Sequence, residues 1–228
     1  MNNNFLLFKF NQYERISMKL NLILLMTAVF FLFSCNSEED TEKLEETSLE
    51  DVLEKGESIN NNIKKAEQKW EMRRQKGDTL PIDYKMLIGI MPDIKGYTKQ
   101  QPEGMNIVTN GTSYSSAIQQ YNGSNGEINI SIFDYNGEIN MLTAASGWKA
   151  TKIKVEDEEG FHSSEPYYGF KDTWIYTEYD KINKNAIVIL AINDRFILSV
   201  NANGQDNVDF AKKIAEQILS NNKDLFSK

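Results

Sequence analysis

The chain has 228 residues, 40% of them hydrophobic and 25% charged, a composition that folds around a core rather than staying disordered. Its formal charge is −8, and with Lys9, Arg15, Lys19 and Glu14 of residues 1–34 set aside the remainder stands at −10. That excludes a nucleic-acid partner, whose phosphates demand clustered Lys and Arg, and a basic face for anionic lipid.

Leu22–Phe33 is an apolar run preceded by Met18 and Lys19. A spanning helix needs about 20 such residues, whereas a run of 7–15 behind a positive start is a signal-peptide core. Residues 1–34 are therefore expected to be a signal peptide, with Met18 as its true start. The stretch Leu32-Phe33-Ser34-Cys35 resembles the lipobox of bacterial lipoproteins. The resemblance implies that the Cys35 thiol is acylated and becomes the mature N-terminus. At about 0.8 kcal/mol per buried CH₂, two or three acyl chains anchor stably. An uncleaved single-span anchor is the alternative. The chain has one cysteine, so no intrachain disulfide can form. Asn36-Ser37-Glu38-Glu39-Asp40 resembles the Ser-plus-acidic export signal of surface lipoproteins in the Bacteroidota. Together these imply a cell-envelope, outer-membrane-anchored lipoprotein, palmitoylated at Cys35 and either periplasmic or surface-exposed.

Residues 38–57 hold ten acids against Lys43 and Lys55, a pattern of solvated spacers. Leu49, Val52, Leu53, Ile59, Ile63, Ala66 and Trp70 then recur at helical spacing, with Gly77 placed to end the helix. The spacing predicts a helix over 61–75, extending back to Ser48, and residues 35–77 read as acidic linker and helical stalk. Gly77-Asp78-Thr79-Leu80-Pro81 is the expected boundary to a single globular domain, 78–228. Asp78-Thr79-Leu80 also resembles the O-glycosylation sequon of Bacteroidota envelope proteins, although a plain linker accounts for it.

Asp83 is placed to cap a short helix from Tyr84 to Ile90, stopping at Pro92. Strand patterns follow at Ser113–Tyr121 and Glu127–Tyr135, the second with Ile128, Ile130 and Ile132 on one face. Glu138–Trp148 reads as a helix. Gly160–Ser164, Thr173–Tyr179, Ala186–Ile192 and Arg195–Asn201 read as strands, the last two joined at Asn193-Asp194. Val208, Ala211, Ile214, Ala215, Ile218 and Leu219 form the apolar stripe of a closing helix capped by Asp206 or Asn207. This order defines an α+β domain, an antiparallel sheet of about 5–7 strands covered by helices, the C-terminal helix packed on the sheet. The order of elements resembles the PsbP/Mog1-like sandwich. Leu87–Thr98 with Asp194-Arg195-Phe196 is similar to uncharacterised Gram-negative envelope proteins, which implies no function.

The inventory of reactive groups is short. The single histidine, His162, has no Gly-x-Ser-x-Gly elbow in the chain to serve and reads as a half-exposed strand residue. Cys and His clusters for zinc are missing. Asp134, Asn136 and Glu138 alternate as oxygen ligands would, but the glycine is misplaced for a calcium loop and no bidentate Glu follows. No metal or cofactor is expected. Two carboxylates suffice for glycoside hydrolysis, and the chain has many to draw on. Tyr167, Tyr168, Phe170, Trp174, Tyr176 and Tyr179 are the densest aromatic group. Cross-strand packing accounts for most of them, while Trp174, Tyr176 and Tyr168 are the candidate ligand face for a glycan or protein partner. The expected role is thus non-catalytic, binding or structural, with membrane attachment through the lipid. The alternative is a carboxylate-based enzyme acting on glycans.

Overall fold

The structure, a computed structural model, describes residues 49–109, 113–136, 149 and 152–227. Residues 1–34, Cys35, the acidic linker to residue 48 and the expected helix 138–148 lie outside the described residues. Residues Ser48–Lys228 form one compact unit.

Helix α1 (Leu49–Gln75) carries the expected periodicity through Gly56 and ends where expected. Gly77 takes a left-handed φ of 82°, and the Gly77 and Asp78 amides donate back to the Arg74 and Arg73 carbonyls. α2 (Tyr84–Gly89) is capped by the Asp83 carboxylate, which accepts from the Lys85 amide at 2.8 Å.

Nine antiparallel strands make one sheet among the described residues: β1 (Tyr97–Lys99), β2 (Glu103–Val108), β3 (Ser113–Gly123), β4 (Gly126–Asp134), β5 (Ile153–Glu156), β6 (Gly160–Pro166), β7 (Thr173–Asp180), β8 (Asn185–Ile192) and β9 (Phe196–Asn203). The order is β1-β3-β4-β9-β8-β7-β6-β5, with β2 also on β3. The α+β class stands, but the count exceeds the expected 5–7. The additional strands β1, β2 and β5 lie at the two edges and are largely exposed, so no apolar alternation marks them. β1 and β2 pair with successive halves of β3, Tyr97 opposite Gly123 and Val108 opposite Ser113. They exist because β3, eleven residues long, offers an open row of backbone groups.

Alternation decides which face is buried. Ile128, Ile130 and Ile132 of β4 continue through Leu198 and Val200 of β9 and Val188 and Leu190 of β8 to Ile175 of β7. α3 (Asp209–Asn221) covers β8 and β9 on this face with Ala211, Ile214, Ala215, Ile218 and Leu219. Val208 packs only partly. The Asn207 side chain accepts from the Asp209 amide at 2.9 Å. α4 (Lys223–Phe226) sets Phe226 edge-on against Phe196, centroids 5.2 Å apart. Leu87 of α2 and Met91 complete the same core. No helix among the described residues is long and apolar enough to cross a membrane.

α1 does not stand apart as a stalk. It falls within the unit Ser48–Lys228, and Gly77–Leu80 is a turn inside that unit. Ala66 is fully buried, and the rest of the hold is polar. Arg73 donates through Nε to Asn136 Oδ1 at 2.7 Å, and through Nη2 to the Asp194 carbonyl at 3.2 Å. Arg74 reaches the Asn136 carbonyl at 3.2 Å while its guanidinium lies 4.1 Å over the Trp70 ring. A thin hydrophobic stripe does not announce attachment of this kind.

Candidate functional site

The end of the sheet where β4 finishes and β8 turns into β9 carries a buried polar cluster. Asn193 and Asp194 have φ of 53° and 50°, the left-handed pair that a tight hairpin needs and that Asn and Asp tolerate. The turn delivers Arg195, 2% exposed, beside Asp134, fully buried. Arg195 Nε and Nη2 each donate to one carboxylate oxygen of Asp134 at 2.9 Å, and Nη1 donates to Asp78 Oδ2 at 2.6 Å. Asp134 also accepts from the amides of Ile82 and Asn136, at 2.8 and 2.9 Å. All four acceptor positions of the carboxylate are thereby used. Asn136 Nδ2 donates to Asp78 Oδ1 at 2.8 Å and its Oδ1 accepts from Arg73. Burial and the neighbouring Arg195 charge lower the Arg73 pKa from its usual value, against the pull of Asp78, Asp134 and Asp194.

This cluster fixes α1, and beside it lies a groove of about 810 Å³ between α1 and the loop joining β6 to β7. A volume of that order falls in the range of about 300–1,000 Å³ typical of small-ligand sites. Asn62, Lys65, Lys69 and Met72 line it from the helix, and Tyr167, Tyr168, Phe170 and Lys171 from the loop. Trp174 forms part of the floor, with Lys149 and Asp194 at one end.

The loop is built to hold this shape. The Tyr167 amide donates to the Thr173 carbonyl at 2.9 Å, closing it at its base. Gly169 lets the Tyr167 ring fold over the chain, since a Cβ there would sit 2.5 Å from the ring. Burial and then the Glu216 carboxylate of α3, which the phenol also hydrogen-bonds, raise the Tyr167 pKa. Asp172 takes a φ of 51° and its carbonyl accepts from the Asn193 amide at 3.0 Å, joining this loop to the β8–β9 turn.

The groove's two carboxylates are both engaged. Lys69 Nζ lies 2.7 Å from Asp194 Oδ2 and 3.2 Å from Asp172 Oδ2, and Lys149 bonds Asp194 Oδ1. Burial pushes the Asp194 carboxyl up, but Lys149 and Lys69 outweigh it and hold it below the usual range.

Of the candidate ligand face, Trp174 and Tyr168 line the groove, Tyr168 standing 90% exposed at its rim. The Trp174 ring N–H donates to the Ser164 hydroxyl at 2.6 Å, which fixes the indole. Tyr176 shares a sheet face with Trp174, yet it is not part of the groove. Its hydroxyl donates to Glu178 Oε2 at 2.6 Å, and burial with that bond raises its pKa. His162 is half-buried on β6, directly across from Glu178 of β7. Asp134 and Asn136, weighed above as oxygen ligands, spend their oxygens on Arg195, Arg73 and backbone amides; Glu138 lies outside the described residues, as does Cys35. The Asp78 of the sequon-like triplet is bound by Arg195, while Thr79 is exposed.

The lysines and Arg195 were not legible as site residues. Lys65 and Lys69 with Met72 do repeat at three- and four-residue spacing, a stripe that puts them on one helical face. Nothing in the linear order points that stripe at residues 166–174.

The fold and groove define an α+β domain with a single antiparallel sheet, its core on one face and an open cleft at the end of α1. No protein-family profile matches the chain, and no curated protein is similar to it in sequence. Among solved structures, the extracellular domain of PknH from Mycobacterium tuberculosis superposes with a TM-score of 0.37 at 10% identity, over 63% of this chain and 97% of that one. No residue role is carried across so loose an overlap.

Proposed function

We propose that this chain is a non-catalytic lipoprotein of the bacterial cell envelope, anchored by acylation of Cys35, whose domain binds a partner through the groove lined by Trp174 and Tyr168. The observation that carries the binding reading is the pairing of an open aromatic groove with carboxylates that are already neutralised. Glycoside hydrolysis, the rival reading, needs one carboxyl kept protonated near neutral pH and a second poised across the scissile bond. In this groove Asp194 is held ionised by Lys149 and Lys69, and Asp172 pairs with Lys69. Asp194 is thus not set up as the general acid. The anchor is outer-membrane, with the domain periplasmic or surface-exposed, and the architecture is read as a PsbP/Mog1-like sandwich.

The test combines labelling with an assay. In cells fed labelled palmitate, the wild type should take up label and Cys35→Ala should take up none. Purified protein incubated with a panel of neutral and acidic glycans should release no new reducing ends. Label retained on Cys35→Ala, or glycan cleavage lost in Asp194→Asn, overturns the reading.

A further inference from the structure

Resting on the groove as a binding site, we infer that its ligand is an acidic saccharide chain, stacked on Trp174 and Tyr168 and held through its carboxylates by Lys65 and Lys171. The sign of the charge is the first argument. The chain as a whole carries −8, yet the groove is lined by Lys65, Lys69, Lys149 and Lys171 against only Asp172 and Asp194. Lys69 and Lys149 are occupied by those two acids. Lys65 and Lys171 are exposed and make no ion pair among the described residues, so a local positive surface stands inside an acidic protein. An anion is attracted to that spot and repelled elsewhere.

The rings supply the second argument. A sugar presents flat C–H faces that pack on aromatic rings, and its hydroxyl rim tolerates water at an open cleft. Tyr168 offers such a ring at the rim, nearly fully exposed, and Trp174 offers one below it whose orientation is fixed through Ser164. Fixing the ring before the ligand arrives lowers the ordering cost of binding.

The backbone around the cleft fits a saccharide rather than an acidic peptide. Extended peptides gain affinity by adding a strand to an open sheet edge. The strand that reaches the groove is β7, which pairs with β8 along its whole length and with β6 from Trp174 to Asp180. The opposite wall is a helix with its own backbone bonds satisfied. Among the described residues no open strand edge lines the cleft, so recognition has to come from rings and side-chain charges.

Calorimetric titration of the full chain in detergent decides the matter, with three probes: an oligogalacturonate, its methyl-esterified counterpart and an oligoglutamate of equal charge. The acidic saccharide should bind, esterification should weaken it about tenfold or more, and added salt should weaken it further. Trp174→Ala should lose about tenfold and Lys171→Glu several-fold, each checked for an unchanged fold by thermal melting. Should Trp174→Ala fail to fold, Lys171→Glu on its exposed loop carries the test. Equal binding of the ester removes the charge argument, and equal binding of oligoglutamate removes the saccharide; either overturns the inference, as does an absence of heat with all three probes. Reducing ends released during a titration that shows binding would instead overturn the non-catalytic reading and leave the ligand assignment standing.

Discussion

Arg195 and Asp134 meet as a two-pronged ion pair inside the sheet end, Nε and Nη2 each 2.9 Å from a different carboxylate oxygen. Asp134 closes β4 opposite Phe196 of β9, and Arg195 is the last residue of the turn that leads into Phe196. Such a planar fork-to-fork contact fixes direction as well as distance. Because Arg195 also holds Asp78, the pair ties the sheet to the segment that follows α1.

Breaking that pair should be costly. Asp134→Asn strips the buried guanidinium of its two-pronged partner and leaves it only the half-buried Asp78, and the expected loss is about 3–5 kcal/mol in urea unfolding. Replacing both partners, Asp134→Leu with Arg195→Met, should cost clearly less than the two single losses added together. A double variant as unstable as that sum would mean that the pair is not a coupled unit.

The Asp194 carboxyl makes stability depend on acid. Its pKa is lowered on folding by Lys149 and Lys69, so the ionised form is favoured in the native state. The contribution is complete above the unfolded value of about 3.9 and is lost as pH falls through the lower folded value. The stability gap between wild type and Asp194→Asn should therefore be constant from about pH 7 to about pH 5 and should shrink below about pH 4. A gap that instead grows on acidification would reverse the sign assigned to the shift.

The attachment of α1 predicts a proteolytic pattern. With Arg73 and Arg74 bonded to Asn136, trypsin should cut slowly at these residues, and the resistant fragment should begin upstream of Ala66. Arg73→Ala should shift the first stable fragment to a start at Gly77, after Lys76. A wild-type fragment that already begins at Gly77, after Lys76, would show that the helix is not held.

Along α3, Ile214 is buried against the sheet and Lys213 beside it is exposed. Ile214→Ala should cost about 2–5 kcal/mol, and Lys213→Ala about 0.5 kcal/mol or less. Similar losses from the two, measured by denaturant unfolding, would place the helix on the wrong face.

The linear order by itself determined the elements whose burial is periodic. Ile128, Ile130 and Ile132 alternate because one side of β4 faces the core, and Ala211, Ile214, Ala215 and Ile218 repeat because one stripe of α3 does. The ends of α1 and α2 were set locally as well, by Gly77 and Asp83. Edge strands β1, β2 and β5 were decided only by the tertiary structure, since an exposed strand needs a neighbour's open backbone rather than an apolar pattern of its own. The same holds for the groove. Lys65 and Lys69 lie about a hundred residues from Tyr168, Asp172 and Trp174, and the link between them is made by the Arg73–Asn136 and Lys69–Asp194 contacts. Contacts between polar side chains so far apart leave no periodicity in the chain, because each needs only one residue at one place. Packing repeats along an element; a clamp of single polar contacts does not.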